Sequence, residues 1–200
     1  IPDAHEYVDL GLPSGTLWAT CNVGATSPEE YGYHFAWGET QPKEDYSWGT
    51  YKYCMGTDDT LTKYCTRSNF GTVDNKTELE AIDDAATANW GSEWQMPSGA
   101  QLYELINSNY TTFTWTTQNG VYGRKIVSKQ NGNSLFLPAA GSREDTAYNG
   151  LGSRGNYWSR SLNTSNSSSG RSLYFYSSDI YTNDYYRCYG RSVRPVRVQN

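Results

Sequence analysis

Apolar positions recur along this chain with two periods, and the change from one to the other divides it. Glu6–Leu10 and Thr16–Val23 read as short strands, separated by the turn cluster Leu12-Pro13-Ser14-Gly15. Residues 24–75 hold no sustained period and are rich in Gly, Tyr and Trp. They read as a long ordered loop region pinned by Trp18, Trp37 and Trp48. A first helix is expected within Thr77–Trp90, opened by the capping-box spacing Thr77-Glu78-Leu79-Glu80 and ended at Gly91. A second begins at another capping box, Ser98-Gly99-Ala100-Gln101. Leu102, Leu105 and Ile106 then recur at i, i+3 and i+4, one apolar stripe.

After Asn109 the period falls to two. Thr112–Thr117 and Tyr122–Lys129 flank Asn119-Gly120, a hairpin signature. Ser134–Leu137 is a buried strand stopped by Pro138, and Asn156–Arg160 is a further strand. In Arg171–Ser177, Leu173 and Phe175 point one way while Ser172, Tyr174 and Tyr176 point the other. Ile180–Arg187 is placed to pair back, and Ser192–Val198 supplies a closing strand. Strands, then helices, then many strands predict a single α+β domain over residues 1–200, with two helices packed on antiparallel sheet and long ordered loops.

Composition adds that the interior must be built largely from rings. Only 36% of the 200 residues are hydrophobic, yet 18 are Tyr and 7 are Trp, and each buried ring removes ~150–250 Å² from water. The net charge of −5 is unevenly spread: residues 130–200 carry eight Arg, no Lys and four acids, a local +4. Nucleic-acid tracking recruits Lys with Arg in clustered patches, so no nucleic-acid partner is expected. No apolar run reaches the ~20 residues of a membrane span, so no membrane insertion is expected either. Cys54 and Cys65 enclose a short polar loop, open either to a disulfide in an oxidising compartment or to two free thiols; Cys188 reads as unpaired. The chain opens on Ile1 rather than Met, as expected of a trimmed mature segment.

Residues 148–191 are strongly biased: 33 of 44 positions are Ser, Tyr, Asn, Gly or Arg. Tyr offers broad rigid contact at low entropic cost and Ser, Gly and Asn adapt their hydrogen bonds, the chemistry of paratopes. Two readings follow. One is an exposed binding face, with Tyr174, Tyr176, Tyr181, Tyr185 and Tyr186 as anchors, Arg171, Arg187 and Arg191 as polar specificity contacts, and Asp179, Asn183 and Asp184 at the rim. The other is a solvated sheet whose Tyr fill β positions by propensity.

Several ordered runs carry a resemblance. They are Tyr7-Val8-Asp9-Leu10-Gly11-Leu12-Pro13-Ser14-Gly15-Thr16-Leu17-Trp18-Ala19-Thr20-Cys21-Asn22-Val23-Gly24-Ala25, Gly71-Thr72-Val73-Asp74-Asn75-Lys76 with Asp83-Asp84-Ala85-Ala86, and Trp90-Gly91 with Trp94-Gln95-Met96-Pro97-Ser98. To these add Leu137-Pro138-Ala139-Ala140-Gly141, Tyr157-Trp158-Ser159 and Gly190-Arg191-Ser192-Val193-Arg194-Pro195-Val196-Arg197. Together they resemble the Fibrobacter succinogenes major paralogous domain family of Bacteroidetes-type surface proteins. The resemblance implies a C-type-lectin-like fold, shared with formylglycine-generating enzymes and with the variable proteins of diversity-generating retroelements. It implies a scaffold of residues 1–147 plus 192–198 and a ligand-binding region over 154–191, diversified by a retroelement or belonging to an ordinary adhesin, the alternative being a calcium-independent glycan-binding adhesin or pilus-tip domain. It also implies an extracellular, cell-surface or phage-virion location, with a protein or glycan as ligand.

Catalytic and metal chemistry is sparse. Cys188 has no thiol near it in sequence, so formylglycine-generating activity is not expected to carry over. The calcium-lectin signatures Glu-Pro-Asn, Gln-Pro-Asp and Trp-Asn-Asp are lacking. Asp83-Asp84 are better placed in a first helical turn than on a cation. No catalytic residue, metal or cofactor is expected. Outward side chains on paired strands change at little cost, so Tyr174→Ala and Tyr185→Ala are expected to spare the melting temperature while abolishing capture.

Overall fold

The computed structural model describes residues 5–198. Chain ends and middle are drawn together in one sheet. β1 (Tyr7–Asp9) pairs antiparallel with β2 (Leu17–Ala19), which pairs through Trp18 and Val196 with β12 (Val196–Arg197); β12 in turn pairs with β3 (Trp94–Gln95). The strand expected over Ser192–Val198 is thus only two residues long, because Ser192 instead bridges Tyr157 and Pro195 interrupts the ladder.

The first helix is shorter than expected. α1 spans Ala85–Trp90, and its cap is Asp84 rather than Thr77. Thr77–Glu80 runs extended beside a later strand: Leu79 N donates to Arg160 O, and Leu162 N donates to Thr77 O. Burying Leu79 there outweighs the local capping-box spacing, since propensity yields to tertiary context. Gly91 ends α1, and the Ser98 box opens α2 (Gly99–Leu105) with both reciprocal bonds formed.

β4 (Thr111–Gln118), β5 (Val121–Ser128) and β6 (Ser134–Pro138) form a three-stranded antiparallel meander. Its Asn119-Gly120 turn has φ of 48° and 80°, the left-handed pair that a two-residue hairpin requires. A small hairpin, β7 (Ser142–Glu144) with β8 (Ala147–Asn149), goes unsignalled in the hydrophobic pattern because its strands are three residues long. β9 (Gly155–Leu162), β10 (Ser169–Phe175) and β11 (Ile180–Tyr186) make the last sheet, in the order β11-β10-β9, with α2 packed across it. Gly155 is required here: a Cβ would stand 2.0 Å from the Phe175 ring.

The protein is mixed α+β and dominated by antiparallel sheets, and rings close it. Trp18, Trp37, Trp94, Trp158, Tyr64 and Tyr157 are almost wholly buried. Of the rings expected to pin the loop region, Trp18 and Trp37 are in the interior. Trp48 is half-buried against Tyr51, Tyr46 and Cys188. Leu173, Phe175 and Ile180 face the main core, as the alternation predicts.

All four cysteines are free. Cys54 Sγ donates to Trp48 O and Cys65 Sγ to Arg67 O, so the Cys54–Cys65 pairing left open above is not made. Asp84 accepts from Ala86 N, Thr87 N and Met96 N as an N-cap, while Asp83 is buried among Tyr53, Tyr64 and Lys63. Neither sits in the first turn of α1, and no cluster of three His, Cys, Asp or Glu suited to a metal occurs among the described residues.

Candidate functional site: a tyrosine face over a buried guanidinium

Cross-strand register sorts the late residues into faces, because directly paired residues of an antiparallel ladder share one side. Asn156, Tyr174 and Tyr181 form one rung; Trp158, Ser172 and Asn183 form the next; Gly170 and Tyr185 follow. This is the face opposite Leu173 and Phe175. The Tyr174 ring lies 5.8 Å from Tyr176 and 5.4 Å from Tyr181. Tyr181, Tyr185 and Tyr186 are exposed, whereas Tyr174 and Tyr176 are half-buried by one another.

The eleven expected site residues do not make one patch. Arg171 and Asp184 pair across β10 and β11 on the other face, beyond the core, where they line a cleft of about 460 Å³ against Gly99 and Tyr103 of α2. Tyr186 turns to Trp48 and Tyr189, with ring centroids 5.9 and 5.8 Å away. Asp179 belongs to the β10–β11 turn, which Arg124 clamps by donating to Tyr176 O and Asp179 O. The largest group, Tyr174, Tyr181, Asn183, Tyr185 and Arg191, lines one cleft, while Arg171, Asn183 and Asp184 share the cleft against α2 and Asp184, Tyr185 and Tyr186 share another.

Two arginines are corrected by burial. Arg187 is fully enclosed, donating to Tyr51 Oη, Tyr64 O, Ser167 O and Lys63 O beneath the Trp37 ring. It is an interior tie between the long loop and β11, not a specificity contact. Arg191 is also buried, at 2% exposure. Residues 187–191 run inside because Trp37 N donates to Arg187 O, Phe35 exchanges bonds with Arg191, and Arg143 exchanges bonds with Gly190.

Arg191 nonetheless reaches a surface concavity of about 240 Å³, as its floor. Its walls are Tyr174, Tyr181 and Tyr185 on one side and Ser142, Glu144 and Asn149 of the β7–β8 hairpin on the other, with Arg154 at the mouth. The Arg191 guanidinium lies 4.2 Å from the Tyr185 ring centroid and 5.1 Å from that of Trp158. Nη1 donates to Ser172 Oγ at 2.8 Å, and Ser172 Oγ donates to Asn183 Oδ1 at 2.6 Å. Burial draws the guanidinium down to about 10, opposed by Tyr185 and Glu144, so it stays charged at neutral pH. The hairpin wall escapes the sequence reading; Arg191 is expected from the sequence as an exposed contact.

Cys188 is sealed in the cluster of Tyr46 and Tyr51, with Cys54 against it, and burial pushes its thiol up to about 12. Such a thiol is protonated at neutral pH and unsuited to attack. Searches against protein-family models, curated proteins and solved structures give no match.

Proposed function

We propose that this chain is an extracellular or surface-displayed ligand-binding domain, with a C-type-lectin-like fold and without enzymatic activity, whose binding face is the outer side of β9–β11. The observation that carries the reading is the division of labour on β10 and β11. Leu173, Phe175 and Ile180 close the interior, while Tyr181 and Tyr185 stand in water on the opposite side. A separate apolar set leaves the phenols free for a partner. Tyr is among the residues that most often dominate binding energy at interfaces.

The family resemblance and retroelement diversification belong to the same proposal. Paired short strands at both chain ends, two helices on antiparallel sheet and a long ordered loop region are consistent with that fold. The sealed, protonated Cys188 speaks against a thiol enzyme on it. Sequencing the surrounding DNA for a reverse transcriptase and an adenine-templated near-repeat of residues 160–191 tests the diversification; its absence rejects it. Capture tests the binding face. Immobilised protein is screened against glycan and protein panels beside the Tyr176→Ala/Tyr181→Ala variant. Loss of every captured ligand in a variant that still folds supports the assignment, and undiminished capture overturns it.

A second reading, a calcium-independent glycan-binding adhesin, is favoured by the concave shape and by the Asn149, Asn156 and Asn183 amides beside the rings.

A further inference from the structure

The protein buries three arginines in its last strands and loops, and they are not equally satisfied. Arg187 donates four hydrogen bonds. Arg194 donates to Asn22 Oδ1 and Ala19 O and leaves Nη2 without a partner. Arg191 donates one, from Nη1 to a serine hydroxyl; its Nε is enclosed without an acceptor, its Nη2 makes no hydrogen bond, and no carboxylate lies within ion-pair distance of it among the described residues. A desolvated charge so poorly partnered is costly unless something completes it, and of the three this is the one placed at the floor of the tyrosine-walled concavity.

A second group in the same cleft is equally incomplete. Asn156 is 3% exposed, lines the concavity and makes no side-chain hydrogen bond among the described residues. Asn183 spends its Oδ1 on Ser172 and leaves its amide donors free. The opposite wall offers Glu144, an acceptor that holds only a long 3.4 Å contact from Asn149. The cleft therefore presents a cation that needs an anion, amide donors and acceptors, and a carboxylate that needs hydroxyl or amine donors.

We propose that this cleft binds a sugar acid: a single pyranose ring bearing a carboxylate, with the acid on Arg191, hydroxyls on Glu144, Asn156 and Asn183, and a ring face against Tyr181 or Tyr185. An acidic peptide satisfies Arg191 but sets further negative charge near Glu144, whereas a uronate carries one anion and several hydroxyls that both donate and accept. Planar guanidinium is the fitting receptor for the planar carboxylate. The assignment rests on the outer face of β9–β11 being the binding surface.

Nuclear magnetic resonance of ¹⁵N-labelled protein tests it, read at the Arg191 Nε–H, a signal identified by its loss in Arg191→Lys. Glucuronate, glucose and N-acetylaspartate are titrated separately to ~10 mM, which reads dissociation constants near ~1 mM. Glucuronate is expected to shift the Arg191 Nε–H and the Asn156 amide saturably, glucose at least ~10-fold more weakly for want of the charge-assisted bond. Arg154→Gln, a change at the exposed mouth that leaves the interior untouched, is expected to weaken glucuronate several-fold. A silent Arg191 with all three probes, or equal responses to glucuronate and glucose, overturns the proposal. Tighter binding of N-acetylaspartate reassigns the cleft to acidic peptide and overturns it as well. Should Arg191 stay silent while the tyrosine face still captures ligands, this inference fails and the broader reading survives.

Discussion

The Tyr185 ring stands 4.2 Å from the guanidinium of Arg191, so an exposed phenol on the outer face also flanks a buried charge. The two functions of the face, presenting rings and flanking Arg191, are therefore separable by residue. Tyr185→Ala removes a cation–π contact worth about 1–2 kcal/mol in a desolvated setting. Tyr181→Ala removes an exposed ring that touches the Tyr174 ring, at a cost within ~0.5 kcal/mol. Thermal melts are expected to show Tyr185→Ala shifted downward by several degrees and Tyr181→Ala nearly unmoved, with capture lost in both. This amends the expectation that Tyr185 is freely replaceable. Equal melting temperatures for the two variants would show that Tyr185 contributes no stability through Arg191.

Arg187 separates the structural from the recognition role most sharply. If it served specificity, Arg187→Met would leave a stable protein that no longer binds. Its burial among Tyr64 O, Ser167 O and Lys63 O predicts instead that Met strands three buried carbonyls, each unmet acceptor costing ~1–3 kcal/mol. Urea denaturation is expected to place the variant at least ~3 kcal/mol below wild type, a large fraction of the ~5–15 kcal/mol that holds a domain folded. A midpoint within experimental error of wild type refutes the interior role.

What could be read from the sequence is what neighbouring residues decide among themselves. The Ser98 box and the Asn119-Gly120 turn are closed within four residues, and both form as expected. Alternation over Arg171–Ser177 sorts Leu173 and Phe175 from Tyr174 because a strand has period two whatever it packs on. The same alternation is blind to what approaches from elsewhere. It gives no sign that Phe35–Trp37 and Arg143 flank residues 187–191 and carry two arginines inside. Nor does it reveal that a hairpin of two three-residue strands at Ser142–Asn149 supplies the facing wall of the cleft. The site is half legible for that reason: its rings lie on regular strands, and its floor and far wall come from contacts distant in sequence.

The position of the first helix start offers a paired test. Asp84 accepts from Ala86 N at 2.9 Å and Thr87 N at 3.1 Å, and also from Met96 N at 2.9 Å, so it ties α1 to the segment after β3. Thr77, the first residue of the unused capping-box sequence, uses its backbone carbonyl rather than its side chain to hold Leu162 N. Asp84→Ala is expected to lose about 2 kcal/mol or more, a cap plus a stranded amide. Thr77→Ala is expected to stay within ~0.5 kcal/mol. Chemical denaturation of the two variants checks this, and a larger loss at Thr77 would restore the longer helix.

Acid stability depends on the carboxylate next to that cap. Asp83 is wholly buried and accepts from Tyr53 Oη, Tyr64 Oη and Lys63 Nζ, the latter two at 2.6 and 2.7 Å. Burial alone raises its pKa, but the bonds from Lys63, Tyr53 and Tyr64 together outweigh that and hold it below the ordinary carboxylate value. A carboxyl depressed in the folded state binds fewer protons there than in the unfolded chain. Its contribution is therefore complete above the unfolded value of ~3.9 and is lost as pH falls through the folded value. Asp83→Asn is expected to be destabilised at neutral pH by about 2–3 kcal/mol, since Lys63 loses a charged acceptor while keeping Glu80 at 2.7 Å. The gap between wild type and Asp83→Asn should then narrow as urea midpoints are repeated below pH ~4. A gap that stays constant or widens on acidification would mean that Asp83 titrates at or above its ordinary value, and that the two phenols and the ammonium do not stabilise its charge.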